Sequence, residues 1–358
     1  MATPGPRTSQ RGARDHGFHP VPIRRVVAET AEAASFVLDV PAELAGAFAY
    51  EAGQFLTFRV EVEGEPHLRC YSMSSSPAVD DELQVTVKRV PGGAVSNRMI
   101  DALGPGAVVD VTRPAGVFCL APGDGDVVAF SAGSGITPIF SLLKTALAVT
   151  DRRVRLLYAN RDRDAVIFRD QLDALVEQHP GRLEVVHHLD VEHGFVHAHA
   201  LGPFIEESAG ADFYVCGPGP FMDVVEEALL AAGVGAERIH IERFSPATET
   251  APAEGADDDG GDAPAPQVTV VLDGRTDTVA HHPGTTILQT ARQMGMAPPF
   301  SCESGGCATC MAKLVEGQAT MHVNNALTDD EVDDGWVLTC QAVPTGPAVH
   351  VVYGYEED

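Results

Sequence analysis

Four cysteines near the C-terminal end constrain this chain more than any other feature. Cys302, Cys307, Cys310 and Cys340 stand in the strings FSCESGGCATC and LTCQA, with the spacing C-x4-C-x2-C-x29-C. Three thiolates must share one tight loop while the fourth arrives from a distant strand, so the segment has to fold back on itself. Four thiolates converging in this way suit a two-iron, two-sulfide cluster, and Gly305, Gly306 and Ala308 keep the loop small enough for backbone N–H groups to approach the sulfides. Structural zinc is the alternative reading, but such sites usually join two short cysteine pairs, and here the fourth cysteine stands alone. Cys70, Cys119 and Cys216 are scattered, with Cys70 and Cys119 reading as small apolar fillers. Seven cysteines so placed make a poor disulfide framework, and a cytoplasmic location is expected.

The chain is 358 residues long, which calls for several cores. Residues 1–20 carry three arginines and no apolar run, and read as a disordered leader rather than a secretory signal. Residues 21–121 hold short alternating runs such as SFVLDV, QFLTFRVEV, LQVTVKRV and AVVDVTRP between Gly and Pro turns, the pattern of an antiparallel β-barrel. From 122 to 245 strand and helix patterns alternate, as in a doubly wound α/β domain with a parallel sheet. Residues 246–266 lack large apolar residues and bases, and read as a flexible acidic linker. A third, α+β unit fills 267–358: VTVVLDGRTDTVA makes two strands around an Asp-Gly turn, and a short helix follows that Thr285 or Thr286 can cap.

Two glycine turns mark the middle unit. In AGSGITP, Gly133, Ser134 and Gly135 follow an apolar strand and lead through Thr137 and Pro138 into a helix, whose N-terminus favours a pyrophosphate. In CGPGPFM, Cys216, Gly217 and Pro218 make a second turn at a later strand end. One such turn is weak evidence; two over the same sheet edge point to a dinucleotide. Between them, YANRDRD places Asn160 and Arg161 beside Asp162 and Asp164, whose charges would repel a 2′-phosphate, although Arg161 and Arg163 could bind one.

In the barrel, LRCYSMSSSP offers Arg69 for a phosphate, Tyr71 for stacking on a heteroaromatic ring and the Ser72 hydroxyl for a ring nitrogen. KRVPGGAVSNRM adds Lys88, Gly93 and Ser96 as further donors. Together these pieces resemble the ferredoxin–NADP reductase superfamily with a plant-type ferredoxin fused at the C-terminus, over residues 20–358. The strings RCYS, AGSGITPI, YANRD, VIF, CGPGPFM, HIE and NNALTDDEVDDGWVLTCQA are most similar to those of the reductases of 3-ketosteroid 9α-hydroxylases. Reductase subunits of phenylacetyl-CoA epoxidases are also similar. The resemblance implies flavin contacts at Arg69, Tyr71, Ser72 and Ser75, a phosphate contact at Ser96, nicotinamide-side contacts at Thr137 and Cys216, and a flavin-facing ring at Phe244. Ser72 and Cys216 are then the candidate catalytic residues. FAD is preferred to FMN and NADH to NADPH, both partly on the resemblance. Glu303, Ser304 and Thr309 in the cluster loop vary among relatives and are not ligands.

The implied chemistry is an electron relay. NADH surrenders two electrons as a hydride, a [2Fe–2S] cluster takes one at a time, and a flavin between them converts one currency into the other. The electrons would leave for a terminal oxygenase, a Rieske-type protein acting on a steroid or another hydrophobic ring. A redox-sensing module without turnover is the reading from a different class. The formal charge of −27 argues against nucleic acid and anionic membrane partners, and no apolar run is long enough to span a bilayer. His187, His188, His193, His197 and His199 read as surface or satisfied histidines rather than a metal site. Trp336 reads as ferredoxin core, with Val332 and Leu338, and Thr328 with Glu331 as a capping box.

Overall fold

The computed structural model describes residues 18–208, 210–243, 266–272, 274–282, 284–296, 298–300, 305, 308–324 and 326–355. Most of the expected leader and linker lies outside the described residues, as do Phe244, Cys302, Glu303, Ser304, Gly306 and Cys307.

The first sheet has six strands, β1 (His19–Thr30), β2 (Ala33–Leu38), β3 (Phe55–Val62), β4 (Glu65–Ser72), β5 (Leu83–Lys88) and β6 (Val108–Val111), in the order β4-β3-β6-β1-β2-β5. A bridge between Met73 and Val85 joins the two ends into a barrel. Alternation along the strands sends Val21, Phe36, Leu56, Phe58 and Val85 inward, all at most 1% exposed. Helix α1 (Ala94–Ala102) adds Val95 and Met99 to this core. The segment expected to supply phosphate donors is thus also a helix, with its glycines ahead of it and Gly93 as N-cap.

The second unit is built from β7 (Val127–Ala132), α2 (Ile136–Val149), β8 (Val154–Asn160), α3 (Arg169–Gln178), β9 (Leu183–Leu189), α4 (Asp190–His193), α5 (Ala198–Glu206), β10 (Asp212–Cys216), α6 (Gly219–Ala231) and β11 (Ile239–Glu242). Its sheet is parallel, in the order β11-β10-β7-β8-β9. Strands β7 and β8 are buried at every position, because helices cover both faces. Ala129, Leu156 and Tyr158 face α2 and α3, whereas Phe130, Leu157 and Ala159 face α5 and α6. Helices α4 and α5 were not anticipated; Pro203 inside α5 and the short length of α4 blur the helical pattern. Strand order reverses beside β7, so the crevice of the fold opens at the carboxyl ends of β7 and β10.

Barrel and parallel sheet share a core. Ala33, Ala52 and Phe118 pack in one cluster with Ile136, Ile139 and Leu142 of α2. Gly53, at φ +94°, is required there: a Cβ on it would stand 1.9 Å from the Phe118 carbonyl oxygen. Arg152, 4% exposed, donates to the Ala121 carbonyl at 2.9 Å and pairs with Asp212, stitching the barrel exit to β10.

The third sheet comprises β12 (Gln267–Leu272), β13 (Arg275–Ala280), β14 (Met311–Met321), β15 (Trp336–Leu338) and β16 (Ala342–Val352), in the order β13-β12-β16-β14-β15. Helix α7 (Ile287–Gln293) lies against it, capped by Thr286, whose Oγ1 accepts from the Gln289 N–H while Gln289 returns a bond to the Thr286 N–H. The box at Thr328 and Glu331 likewise opens α8 (Asp329–Asp333). Trp336 and Leu338 are buried beside Cys310 and Cys340, with Val332 packed against them.

Candidate active site and cluster loop

The crevice is assembled from the ends of three strands. Ser72 closes β4, Cys216 closes β10 and Glu242 closes β11, where Cys216 and Glu242 are register partners. Ser72 Oγ donates to Glu242 Oε2 at 3.2 Å, joining barrel to parallel sheet across 170 residues of sequence. Glu242, 9% exposed, joins this crevice without having been singled out in the sequence. Its signal was present in the string IHIE, where a carboxylate ends a strand of a largely buried sheet.

The two glycine turns meet here. Gly133 needs its positive φ of 54°, and a Cβ on it would come 3.5 Å from Lys88 Nζ, so the ammonium group reaches this turn from the barrel. Gly135 has a different reason from the expected pyrophosphate approach: a Cβ would stand 2.1 Å from the Cys216 carbonyl oxygen and 2.7 Å from Gly217 N. Its missing side chain is what lets one turn rest on the other. Ser134 is exposed, its carbonyl accepts from Thr137 Oγ1 at 3.1 Å, and Pro138 fits the first turn of α2. Pro218 N-caps α6 after Gly217.

On the flavin side, Arg69 Nη1 donates to the Leu68 carbonyl at 2.7 Å, and the Tyr71 ring meets Phe58 edge-on at 5.5 Å. The Ser75 hydroxyl is already engaged, with Tyr50 Oη at 2.7 Å and the Gln84 N–H at 2.9 Å. Ser96 Oγ accepts from the Val90 N–H at 3.1 Å and so braces the Gly92–Gly93 turn. Both hydroxyls thus make bonds within the protein. On the nucleotide side, Asn160 is 4% exposed and neither end of its amide has a hydrogen-bond partner among the described residues. Arg161 is exposed and paired with Asp162 at 2.8 Å. An unmet buried amide at the end of β8, beside two glycine turns and a helix N-terminus, fits a bound dinucleotide.

Burial governs the thiols. It pushes the fully buried Cys216 thiol well above its usual range, and the charge of Glu242 adds to this, so Cys216 is a neutral S–H at physiological pH. Cys119, expected as an apolar filler, is only half-buried and donates to the Gly116 carbonyl at 3.8 Å. Burial, then Glu51 and Glu242, raise it to about 12.

In the third unit, Cys310 and Cys340 are buried and held together by a relay: Tyr353 Oη donates to Thr339 Oγ1 at 2.7 Å, which donates to the Cys310 carbonyl at 2.8 Å. Gly305, at φ +76°, allows the loop to approach the Val323 carbonyl, 2.6 Å from where its Cβ would be. Thr309 has a buried hydroxyl with no partner among the described residues. Two buried thiols and an unmet donor fit an iron–sulfur cluster; the other two expected ligands, Cys302 and Cys307, lie outside the described residues. The five histidines around β9 and α5 line a concavity of about 360 Å³, and His188 Nε2 bonds the Gly194 carbonyl at 2.8 Å. No group of three ligating side chains placed to hold a metal occurs among the described residues.

Three family models match in series: an oxidoreductase FAD-binding domain over residues 20–119, an oxidoreductase NAD-binding domain over 130–227 and a 2Fe-2S iron-sulfur cluster binding domain over 270–345. Fold and site therefore define an oxidoreductase that couples a flavin, a nicotinamide nucleotide and an iron–sulfur cluster. The ferredoxin reductase component of 3-ketosteroid-9-alpha-monooxygenase from Rhodococcus rhodochrous is 40% identical over 328 residues, covering 90% of this chain and 93% of that protein. Its Mycobacterium tuberculosis counterpart is 42% identical over 340 residues, covering 92% and 94%. A component of 1,2-phenylacetyl-CoA epoxidase from Escherichia coli is 33% identical, covering 91% and 95%. The solved structure of phthalate dioxygenase reductase superposes with a TM-score of 0.59 at 25% identity, over 95% of this chain and 99% of that one. The chain belongs to this family of three-domain reductase components of oxygenase systems.

Proposed function

We propose that this chain draws electrons from NADH and delivers them to a terminal oxygenase that attacks a 3-ketosteroid. The observation carrying the steroid reading is the 40% identity to the Rhodococcus component, which runs through all three units, against 33% for the epoxidase component. FAD supplies a two-electron acceptor able to release electrons singly, and the [2Fe–2S] cluster supplies a one-electron outlet.

The protein's own groups bind, orient and exclude. Gly133 and the N-terminus of α2 receive a pyrophosphate, and Thr137 and Cys216 wall the nicotinamide side. Arg69, Lys88 and the start of α1 face the flavin phosphates. Ser72 and Glu242 hold a hydrogen bond where the two cofactors would meet, and the neutral Cys216 thiol keeps that wall uncharged. Asp162 and Asp164 disfavour a 2′-phosphate. Glu303 and Ser304 surround the cluster thiols in sequence and supply no ligand. The cysteine pattern supports a cytoplasmic setting.

The test is reconstitution with purified 3-ketosteroid and phenylacetyl-CoA oxygenases in parallel. NADH-dependent, oxygen-dependent hydroxylation of the steroid is the expected result. Turnover only with the epoxidase components, a higher kcat/KM for NADPH, or FMN as the heat-released flavin would each overturn the corresponding part.

A further inference from the structure

Helix α2 carries three hydroxyls, Thr137, Ser141 and Thr145, spaced four residues apart and therefore aligned on one face. The first lies at the nucleotide turn. The other two reach into the barrel: Ser141 Oγ donates to the Ser75 carbonyl at 2.5 Å, and Thr145 Oγ1 shares a hydrogen bond with Ser76 Oγ at 2.7 Å. Lys144, between them, pairs with Asp80, whose carboxylate also accepts the Ser76 N–H at 2.7 Å. On the barrel side Ser75 is pinned in turn by Tyr50 and by the Gln84 N–H.

Packing alone does not call for this seam. Ser141 is 0% exposed within PIFSLLKTALAV, where an apolar residue would bury without cost, and a buried hydroxyl is tolerated only if bonded. Its bond crosses from one domain to the other. The barrel strand that ends at Ser72 runs directly into the clamped segment, and Thr137 is one helical turn from Ser141. The seam thus lies about one turn from the crevice on both sides.

We infer that Ser141 and Thr145 are positioning residues that clamp the flavin-side segment Ser75–Asp80 to the nucleotide helix and so set the distance between the two redox partners. This deepens the proposed hydride-transfer role of the crevice and rests on it. Neither residue touches the reacting atoms. Misplacement on the order of 1 Å can cost ~100-fold in rate, so a clamp this near the crevice is felt in transfer more than in binding.

The variants are Ser141→Ala, Thr145→Val, both together, and Thr145→Ser, which keeps the hydroxyl. In the full holoprotein, hydrogen exchange at the Ser76, Ala78 and Asp80 N–H groups should speed up about 10-fold in the double variant and stay at the unsubstituted level in Thr145→Ser. In anaerobic stopped flow, the limiting rate of flavin reduction by NADH should fall about 10-fold in the double variant, with the NADH Kd changed less than about 2-fold. Faster exchange with an unchanged rate would reduce the seam to a structural role and overturn the inference, as would unchanged exchange. A fall in rate matched by lost affinity would overturn it too. If the unsubstituted chain showed no flavin reduction by NADH, the reading of the crevice would fall and the positioning role with it, whereas the exchange result would still stand as a property of the fold.

Discussion

Glu242 takes its role from neighbours supplied by two other strands, Ser72 from the barrel and Cys216 from β10. A hydrogen bond to a charged group contributes about 1.5–3 kcal/mol, so losing it where the cofactors meet should slow hydride transfer roughly 10- to 100-fold. Ser72→Ala and Glu242→Ala should both show this in stopped-flow flavin reduction while retaining flavin; rates within 2-fold of the parent chain would remove both residues from the site. For Cys216 the direction of its titration decides the outcome. Burial and the nearby carboxylate favour the neutral thiol, and the thiolate is the species that alkylates. Cys216 should therefore resist iodoacetamide in the folded protein from pH 7 to 9 and react only after denaturation, as read by peptide mass spectrometry. Modification in the native chain at pH 8 would show a thiol more accessible than this structure allows.

Among the elements, the two strand-to-helix turns depend on each other. Gly135→Ala would drive a methyl group into the Cys216 carbonyl and the Gly217 N–H, both backbone, so β7–α2 and β10–α6 would have to separate. The expected cost is about 1–3 kcal/mol of stability with at least ~10-fold weaker NADH binding. Gly219→Ala, at the start of α6 with nothing within 4 Å of the new Cβ, should be neutral or slightly stabilising. Thermal denaturation and NADH titration of the pair check this, and equal effects at both positions would dismiss the interlocked turns. Much at this scale was legible beforehand: β8 and β9 follow the apolar strings VRLLYAN and LEVVHHL. Helix α1 was not, because its glycines and serine also suit a phosphate-binding turn, and only packing of Val95 and Met99 into the barrel distinguishes the two.

For the whole molecule, the acidic stretch 246–266 leads to the expectation that the cluster unit is separable in function. Cys340→Ser should abolish the iron–sulfur absorbance yet leave flavin content and NADH:ferricyanide activity nearly intact; loss of flavin would refute independence. Charge adds a second expectation. Residues 267–358 carry 12 acids against Arg275, Arg292 and Lys313, a field suited to a basic patch on the oxygenase. Reduction of the oxygenase should slow as salt rises through the range where screening shortens to about 8–10 Å, while the limiting rate of NADH-to-flavin transfer at saturating NADH stays flat. A salt-independent second-order rate would point to apolar docking instead.

The cysteine spacing, the two glycine turns and the charge imbalance were determined by sequence alone, because local backbone chemistry and ligand type are written in consecutive residues. Apolar runs and turn residues likewise announced a barrel, a parallel sheet and a small α+β unit. Tertiary structure decided what depends on residues far apart meeting. It brought Glu242 to Ser72 across 170 positions, set the Cys216 carbonyl where a Gly135 side chain would be, and bonded two hydroxyls of one helix, Ser141 and Thr145, to another domain. The physical reason is the same each time. A carboxylate, a glycine or a serine has many uses in water, and only the neighbours that exclude that water select one.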